Sequence, residues 1–185
     1  NDLTACARRP ARIFVANRSP ASLLIGEVGQ DGLSPDGTFD PDSVVLSSNV
    51  PLTAGPSGVY LAPIIDRDGN FAIRVFIVCF DSAAVFVYDP DSRRVENLIR
   101  VGQGPYSLAF DPFNFEDVAL GKQAPVDPRS ADVELRRFRF AYVASFTKSF
   151  VQLLDLDNSR SDKTTFERVV YTLGAGDEST AAMEL

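Results

Sequence analysis

The sequence contains no histidine, and this absence excludes more chemistry than any other feature of its composition. Without histidine the chain cannot supply the base for a serine or cysteine nucleophile, a histidine ligand for zinc or a histidine ligand for haem. The 2 cysteines, Cys6 and Cys79, are too few to define a disulfide framework or a redox compartment. We therefore expect no catalytic site of the common hydrolase types.

Positive charge is also in short supply. The chain has 18 Lys and Arg against 25 Asp and Glu, a net charge of -7, which disfavours contact with a nucleic-acid backbone. No run of 18 apolar residues is present, so we expect no membrane-spanning segment, and the first residues lack the basic and apolar regions of a signal peptide. What the chain does have is 45% apolar residues over 185 positions, enough for a globular core.

The two cysteines support separate expectations. Leu3-Thr4-Ala5-Cys6 matches the short pattern at which bacterial lipoproteins are lipidated, but the hydrophobic stretch that must precede it is missing. Lipidation at Cys6 therefore stays a minor alternative. Cys79 lies in an apolar run and is expected to be buried. The predicted strands place the two thiols near opposite faces, too far apart for a disulfide.

An internal repeat organises the sequence. Three segments align without gaps, each with two β-rich runs separated by a short polar break. They begin at Arg12, Arg74 and Phe140. Their equivalent aromatic residues are Phe14, Phe76 and Tyr142, spaced by 62 and 66 residues. The second run of each segment ends near an acidic residue, namely Glu27, Asp89 and Asp155. Each segment therefore predicts two antiparallel strands joined by a tight turn.

A second repeated element extends these pairs to four strands. Gly55-Pro56 and Gly104-Pro105 each follow a predicted strand, at 44–52 and 95–101, and each opens a new one. Proline cannot donate to a strand ladder and glycine tolerates a sharp bend, so both steps predict a chain redirection. Asp68-Gly69 favours a hairpin turn before the second strand of the middle unit. Units of four short strands without helical periodicity are typical of β-propeller blades.

The repeats resemble YVTN-type β-propeller repeats. The best match runs from Arg74 to Pro112, where Phe76 to Cys79 correspond to the name motif and Val101-Gly102 with Gly104-Pro105 to the blade transition. The first unit has Glu27 where the family has Asp, and the third stops before any Gly-Pro. The resemblance implies a bacterial or archaeal secreted, periplasmic or cell-surface protein, and it specifies architecture better than activity.

The predicted fold class is all-β, with propeller blades of four antiparallel strands in an incomplete ring; a β-sandwich is the alternative. The whole chain, 1–185, would be one partial propeller. Its parts are an incomplete first blade at 1–54, a second at 55–103, a third at 104–173 with an insert at 113–137, and the start of a further blade or a tail at 174–185. Too few blades are present to close a ring, so further blades or another chain, including a second copy, are the expected partners.

Two long connections depart from the repeat. Residues 29–43 link the third and fourth strands of the first blade, and the insert at 113–137 links the first and second strands of the third blade. Because strands alternate in direction, both connections emerge on the same side. Loops on a rigid scaffold commonly carry binding, so this side is the predicted partner surface.

No residue is assigned a catalytic or metal-binding role. Glu27, Asp89 and Asp155 recur in every unit, which favours turn caps over a carboxylate pair for glycoside hydrolysis. The acidic turns resemble short calcium loops but lack a distal acidic ligand, so calcium is only a minor alternative. They are Asp66–Asn70, Asp40–Ser43 and Asp155–Ser159. The glycine pairs at 102–104 and 174–176 are too short to hold phosphate. The basic cluster Arg136–Phe140 is predicted to be an exposed strand edge rather than a nucleic-acid surface.

The sequence therefore favours a non-catalytic binding or scaffold module of an extracytoplasmic or surface propeller protein, with no cofactor. Two alternatives remain open. One is the propeller portion of a periplasmic enzyme, either lactonase-like or an oxidoreductase subunit. The other is a structural subunit of a cell-surface assembly.

Overall fold

The structure is a computed structural model that describes residues 11–28, 44–111, 138–158 and 164–174. In these ranges the chain consists of strands and turns, arranged in three antiparallel sheets. The first sheet has the order β1 (Ala11–Asn17), β2 (Ser22–Val28), β3 (Val44–Pro51). The middle sheet has the order β4 (Pro56–Ile65), β5 (Phe71–Cys79), β6 (Ala84–Asp89), β7 (Arg94–Arg100). The third sheet has the order β8 (Pro105–Asp111), β9 (Phe140–Ser145), β10 (Phe150–Asp155), β11 (Arg168–Gly174).

This confirms the predicted fold class. The described chain is all-β, its strands pair antiparallel with their sequence neighbours, and none of the three sheets closes on itself. The first sheet has three strands and each of the others has four. The strands expected at 44–52 and 95–101 are β3 and β7.

The middle sheet is buried on both faces. All six residues of β6 are buried, as are the last six of β5, and eight of these twelve are β-branched or aromatic. Successive side chains of a strand point to opposite faces, so such strands can be covered only by a layer on each side. Val75, Ile77 and Phe86 pack against Leu23 of the first sheet. The opposite face, with Phe76 and Val87, packs against the third sheet.

The three sequence repeats have the same strand register. Phe14 pairs with Ile25, Phe76 with Val87 and Tyr142 with Leu153, so each aromatic lies opposite the residue 11 positions later. Phe14 packs edge-on against Tyr88 of the middle sheet, with ring centroids 6.4 Å apart. Phe76 packs edge-on against Phe110 of the third sheet, at 5.3 Å. Each of these two aromatic rings therefore fills the space between its own sheet and the next.

The Gly-Pro steps have the same geometry at both sheet transitions. Gly55 and Gly104 have φ values of 78° and 67°, in the region that favours glycine. Each glycine carbonyl accepts a hydrogen bond from the backbone N–H that follows the second strand of the next sheet, from Phe80 at 2.6 Å and from Phe146 at 2.8 Å. A Cβ added at either glycine would collide with the residue after that phenylalanine, Asp81 or Thr147. The steps therefore fix the start of β4 and of β8.

Both outer sheet faces expose apolar side chains in the part of the chain that the structure describes. On the first sheet, Ile13, Val15 and Leu46 are 38%, 45% and 65% exposed. They lie on the face opposite Phe14, because strand residues alternate and Leu46 pairs with the partner of Ile13. On the third sheet, Tyr171 and Leu173 are 58% and 49% exposed. They pair with Leu153 and Val151, on the face that also carries Tyr142.

We predict that Phe76→Ala lowers the free energy of unfolding by about 3–5 kcal/mol, because the ring is fully buried and its removal leaves a cavity between two sheets. Chemical denaturation followed by circular dichroism measures this change. Phe146→Ala is the matched control, since Phe146 is 73% exposed in the turn between β9 and β10, and it should cost about 1 kcal/mol or less. Equal losses in the two variants would contradict the buried interface.

Candidate functional site in the cleft between the first and middle sheets

One end of the sheet stack gathers most of its charged side chains. The β4–β5 hairpin at Asp66–Asn70 and the β6–β7 turn at Asp89–Arg94 lie there, as do the strand ends that flank residues 29–43 and the insert at 113–137. We call this the loop end. The two long connections themselves lie outside the described residues. The opposite end carries the short turns between β1 and β2, β5 and β6, and β9 and β10.

Two of the three predicted turn caps, Asp89 and Asp155, cap turns at the loop end, whereas the carboxylate of Glu27 pairs with Arg93 of the middle sheet. Asp89 Oδ1 accepts the backbone N–H of Asp91 at 2.8 Å, and Asp155 Oδ1 accepts that of Asp157 at 3.0 Å. Asp66 Oδ1 accepts two backbone N–H groups of its own hairpin, at 3.0 and 2.9 Å. These oxygens stabilise the backbone of tight turns, which is the role that aspartate commonly has there.

Arg74 is a buried positive charge at the loop end, and three carboxylates surround it. Its side chain is 5% exposed, and its guanidinium contacts Glu96 at 2.6 Å, Asp66 at 3.4 Å and Asp89 at 3.5 Å. Burial alone would lower the pKa of Arg74, but the hydrogen bond and charge of Glu96, with the other two carboxylates, raise the pKa above its ordinary value. The guanidinium therefore holds the ends of three strands together as an ion-pair network.

A second ion pair joins the middle and third sheets. Glu167 is buried, with 1% of its side chain exposed, and its Oε2 accepts from Arg67 at 2.6 Å and from Asn97 at 3.0 Å. Its Oε1 has no hydrogen-bond partner among the described residues. Glu167 also has a left-handed backbone, with φ of 57°. The Glu167 carboxylate therefore links the third sheet to the middle sheet.

The first and middle sheets meet in a cleft at the loop end. It encloses about 220 Å³, open solvent at its mouth included, of which about 10 Å³ can hold the centre of a water molecule. Its polar lining residues are Arg12, Glu27, Ser47, Ser48, Tyr88 and Arg93. Arg93 pairs with Glu27 at 3.3 Å, and Arg12 donates to the carbonyl of Pro90 at 2.8 Å. Each guanidinium keeps further N–H donors for a ligand.

The Tyr88 hydroxyl is the buried polar group of this cleft. Tyr88 is 1% exposed and its hydroxyl has no hydrogen-bond partner among the described residues. Burial raises the pKa of Tyr88, while the charges of Arg93 and Arg12 lower it and that of Asp89 raises it. Both arginines line the same cleft as Tyr88. Because buried polar groups normally have partners, an unpaired one at a cleft indicates a missing ligand or water.

The other residues that the sequence analysis considered are the glycine pairs, the cysteines and the acidic turn at 40–43. The Gly102 N–H donates to Gln152 Oε1 at 2.6 Å, and the glycine lies against the Phe150 ring. Cys79 is a free, buried thiol whose pKa burial raises to about 11, and Cys6 lies outside the described residues, so the disulfide prediction stays untested. Asp40–Ser43 and Gly174–Gly176 lie outside the described residues in whole or in part.

The prediction for the basic cluster is wrong where the structure describes it. Phe138 to Phe140 were expected at an exposed strand edge, but all three are half-buried, and β9 is an inner strand of its sheet. Phe138 stacks on Phe110 with ring centroids 5.1 Å apart, and Arg139 pairs with Asp157 at 3.3 Å. Phe138 thus packs against the core between the middle and third sheets. Arg136 and Arg137 lie outside the described residues.

The sequence analysis did not single out Arg12, Arg93 or Tyr88 as site residues. Arg12 begins a repeat unit and Tyr88 continues an apolar strand, so neither belongs to a recognisable local motif. Arg93 and Glu27 are 66 residues apart and meet only because two sheets stack. A polar residue at a repeat position that is otherwise apolar is the one signal available, and Tyr88 provides it.

The chain matches no protein-family model and no curated protein. Among the described residues, no three side chains of histidine, cysteine, aspartate or glutamate come together as metal ligands. The same residues include no helix long and apolar enough to cross a membrane.

We predict that acid destabilises the fold in part through Asp89. Burial would raise the pKa of Asp89, but hydrogen bonds from Ser92 and Asp91 and the charge of Arg74 lower it below its ordinary value. A lowered pKa adds stability above the unfolded value of about 3.9, and that stability is lost as the pH falls through the folded pKa. Asp89→Asn should therefore flatten the fall in unfolding free energy below about pH 5, as measured by denaturation at several pH values.

Two serine variants serve as the comparison. Ser92→Ala removes one of the donors to Asp89 and should flatten the acid limb to a smaller extent. Ser149→Ala, at an exposed turn of the opposite end, should keep the wild-type slope. A wild-type slope in Asp89→Asn would show that this carboxyl does not carry the acid response.

Proposed function

We propose that this chain is a non-catalytic binding and scaffold module: a run of β-propeller blades whose ring is completed by further sheets of the same construction. The repeated register of the three sheets supports this proposal. Tyr142 occupies in the third sheet the position from which Phe14 and Phe76 reach the following sheet. Ile13 and Val15 occupy in the first sheet the positions of Val75 and Ile77, which the preceding sheet covers.

Contacts of one type join the first sheet to the middle sheet and the middle sheet to the third. In this proposal the two exposed outer faces are the unpaired halves of the same type of contact. Residues that are buried in the middle sheet have exposed apolar equivalents on each flank, and contiguous exposed apolar surface of this kind usually marks an interaction site. The occupant that fits best is another sheet of the same pattern, from further blades or from a second copy. An interface of this head-to-tail type closes into a ring when the rotation between sheets allows it.

The partner surface in this proposal is the loop end. It combines a rigid stack of sheets with two long connections, 29–43 and 113–137, which start and finish at the strand ends described above. Binding residues are commonly placed on such loops. The resemblance to YVTN-type repeats adds the expectation of a periplasmic, secreted or surface location. The enzyme and the structural-subunit alternatives remain predictions from the sequence, and no contact described above favours either of them.

The completion of the ring is tested by self-association. We predict that the purified chain sediments above 20.1 kDa, the mass of a single copy, with an apparent mass that rises with concentration. Tyr171→Lys and Val15→Lys should each return it to a single copy, because each places a charge on one half of the head-to-tail contact. The middle-sheet equivalent of Val15 is Ile77, which is fully buried. Phe146→Lys is the control, since this exposed aromatic lies at the opposite end. A monomer at every concentration, or an equal effect of the control, would contradict the proposal.

The partner surface is tested by shortening the two connections. We predict that replacing 29–43 and 113–137 with short Gly-Ser turns preserves the circular dichroism spectrum and the cooperative unfolding transition, because each connection joins strands that are adjacent in a sheet. The variant should lose a protein or glycan that the wild-type chain retains from an extract of its source cells. A Gly-Ser insertion into the Phe146–Ser149 turn is the control and should keep that partner. Retention by the shortened chain would contradict the proposed surface.

A further inference from the structure

The cleft between the first and middle sheets contains a group that the fold itself does not require. Tyr88 pairs with Val75 in the middle sheet, and the equivalent pair in the third sheet is Leu154 with Ala141. Leu154 is fully buried and entirely apolar. The same strand position therefore packs well without a hydroxyl, and the Tyr88 hydroxyl is buried without a partner among the described residues. A buried hydroxyl without a partner is unfavourable unless a ligand or a water bonds to it.

The charges around this hydroxyl favour an anion. Arg12 and Arg93 contribute two positive charges to the lining and Glu27 one negative charge, so the cleft carries one net positive charge on a chain whose net charge is -7. Asp89 also acts on the hydroxyl, but it is not among the lining residues, and Arg74 at 3.5 Å offsets part of its charge. One net positive charge suits a monoanion better than a phosphate dianion.

The inner space of the cleft is large enough for only one oxygen atom of a ligand. About 10 Å³ can hold the centre of a water molecule, so one oxygen of a ligand can reach the bottom of the cleft while the rest stays at the mouth. There the tyrosine hydroxyl can donate to that oxygen. The guanidinium groups at the mouth have the planar, forked donors that match a carboxylate.

We propose that this cleft binds the carboxylate group of a ligand, with the Tyr88 hydroxyl, Arg12 and Arg93 as its donors. The proposal rests on the proposed binding function and names the chemistry that the loop end recognises. The carboxylate comes either from a peptide, as its C-terminus or an acidic side chain, or from an acidic sugar.

Titration with acetate tests the cleft directly. We expect sodium acetate to give saturable shifts of the backbone amide resonances of Ile25, Tyr88 and Arg93, with sodium chloride at equal ionic strength as the reference. Acetamide, which has the same shape without the charge, should give no saturable shift. Absence of saturable shifts with acetate, equal shifts with acetamide, or tighter binding of inorganic phosphate than of acetate would each overturn the proposal.

Tyr88→Phe separates a ligand-binding role from a structural one. We expect this variant to bind acetate about tenfold more weakly and to keep or raise its melting temperature, because the hydroxyl that it removes has no partner in the fold. Arg12→Gln should weaken binding to a similar extent. The matched controls are Tyr106→Phe, at a 60% exposed tyrosine, and Arg18→Gln, at an exposed arginine of the opposite end. Wild-type affinity in Tyr88→Phe, or a lowered melting temperature, would overturn the proposal.

Two further probes identify the source of the carboxylate. A short N-acetylated peptide with a free C-terminus is compared with its amidated form, and glucuronate is compared with glucose. Tighter binding of the free-acid peptide or of glucuronate than of acetate supports the proposal and names the ligand class. Equal binding of the charged and neutral forms of both probes would overturn it. None of these titrations requires a protein partner. Their failure would contradict the carboxylate site alone, whereas retention of the partner by the loop-shortened chain would contradict the proposed partner surface.

Discussion

Burial of the middle sheet on both of its faces is the constraint on which the rest of the structure depends. An isolated antiparallel sheet can leave one face in water, and its strands then alternate between apolar and polar residues. The strands β5 and β6 do not alternate, and Val75 and Phe76 are both fully buried although they point to opposite faces. Apolar burial of this kind is the dominant favourable contribution to folding. The middle sheet can therefore be stable only between two neighbours, which it has.

An ion pair joins equivalent positions at both sheet junctions, but the positive and the negative residue are exchanged between the two junctions. Arg93 and Glu167 both have a left-handed backbone and both immediately precede the last strand of their sheet. Arg93 pairs with Glu27 of the preceding sheet, and Glu167 pairs with Arg67 of the preceding sheet. The residue before the last strand thus forms an inter-sheet ion pair at both junctions, with a positive side chain at one and a negative side chain at the other. The two junctions are therefore chemically different although their strands are equivalent, and a ligand can distinguish one from the other.

The sequence predicts the elements well because their signals are local. Gly55 and Gly104 mark the sheet transitions through backbone conformations that other residues adopt at a cost, and Asp68-Gly69 marks a hairpin for the same reason. The cluster at Phe138–Phe140 is predicted wrongly because its charges suggest exposure, whereas the stacking of Phe138 on Phe110 decides its burial. Arg67 and Glu167 are 100 residues apart, and no local pattern indicates that they meet. Contacts between sheets depend on stacking, which the spacing of residues along one strand does not encode.

The unpaired Tyr88 hydroxyl shows where binding and stability make opposite demands. Leaving a buried hydroxyl without a partner costs about 1–3 kcal/mol, a substantial fraction of the 5–15 kcal/mol by which a domain is typically stable. The equivalent position in the third sheet avoids this cost with Leu154, so the repeat itself offers the more stable solution. A residue that departs from its own repeat toward lower stability, beside two arginines in a cleft at the loop end, is best explained by what it binds. The same reasoning gives Glu167 a different explanation, because its Oε2 already holds Arg67 and Asn97 and so joins two sheets through one carboxylate.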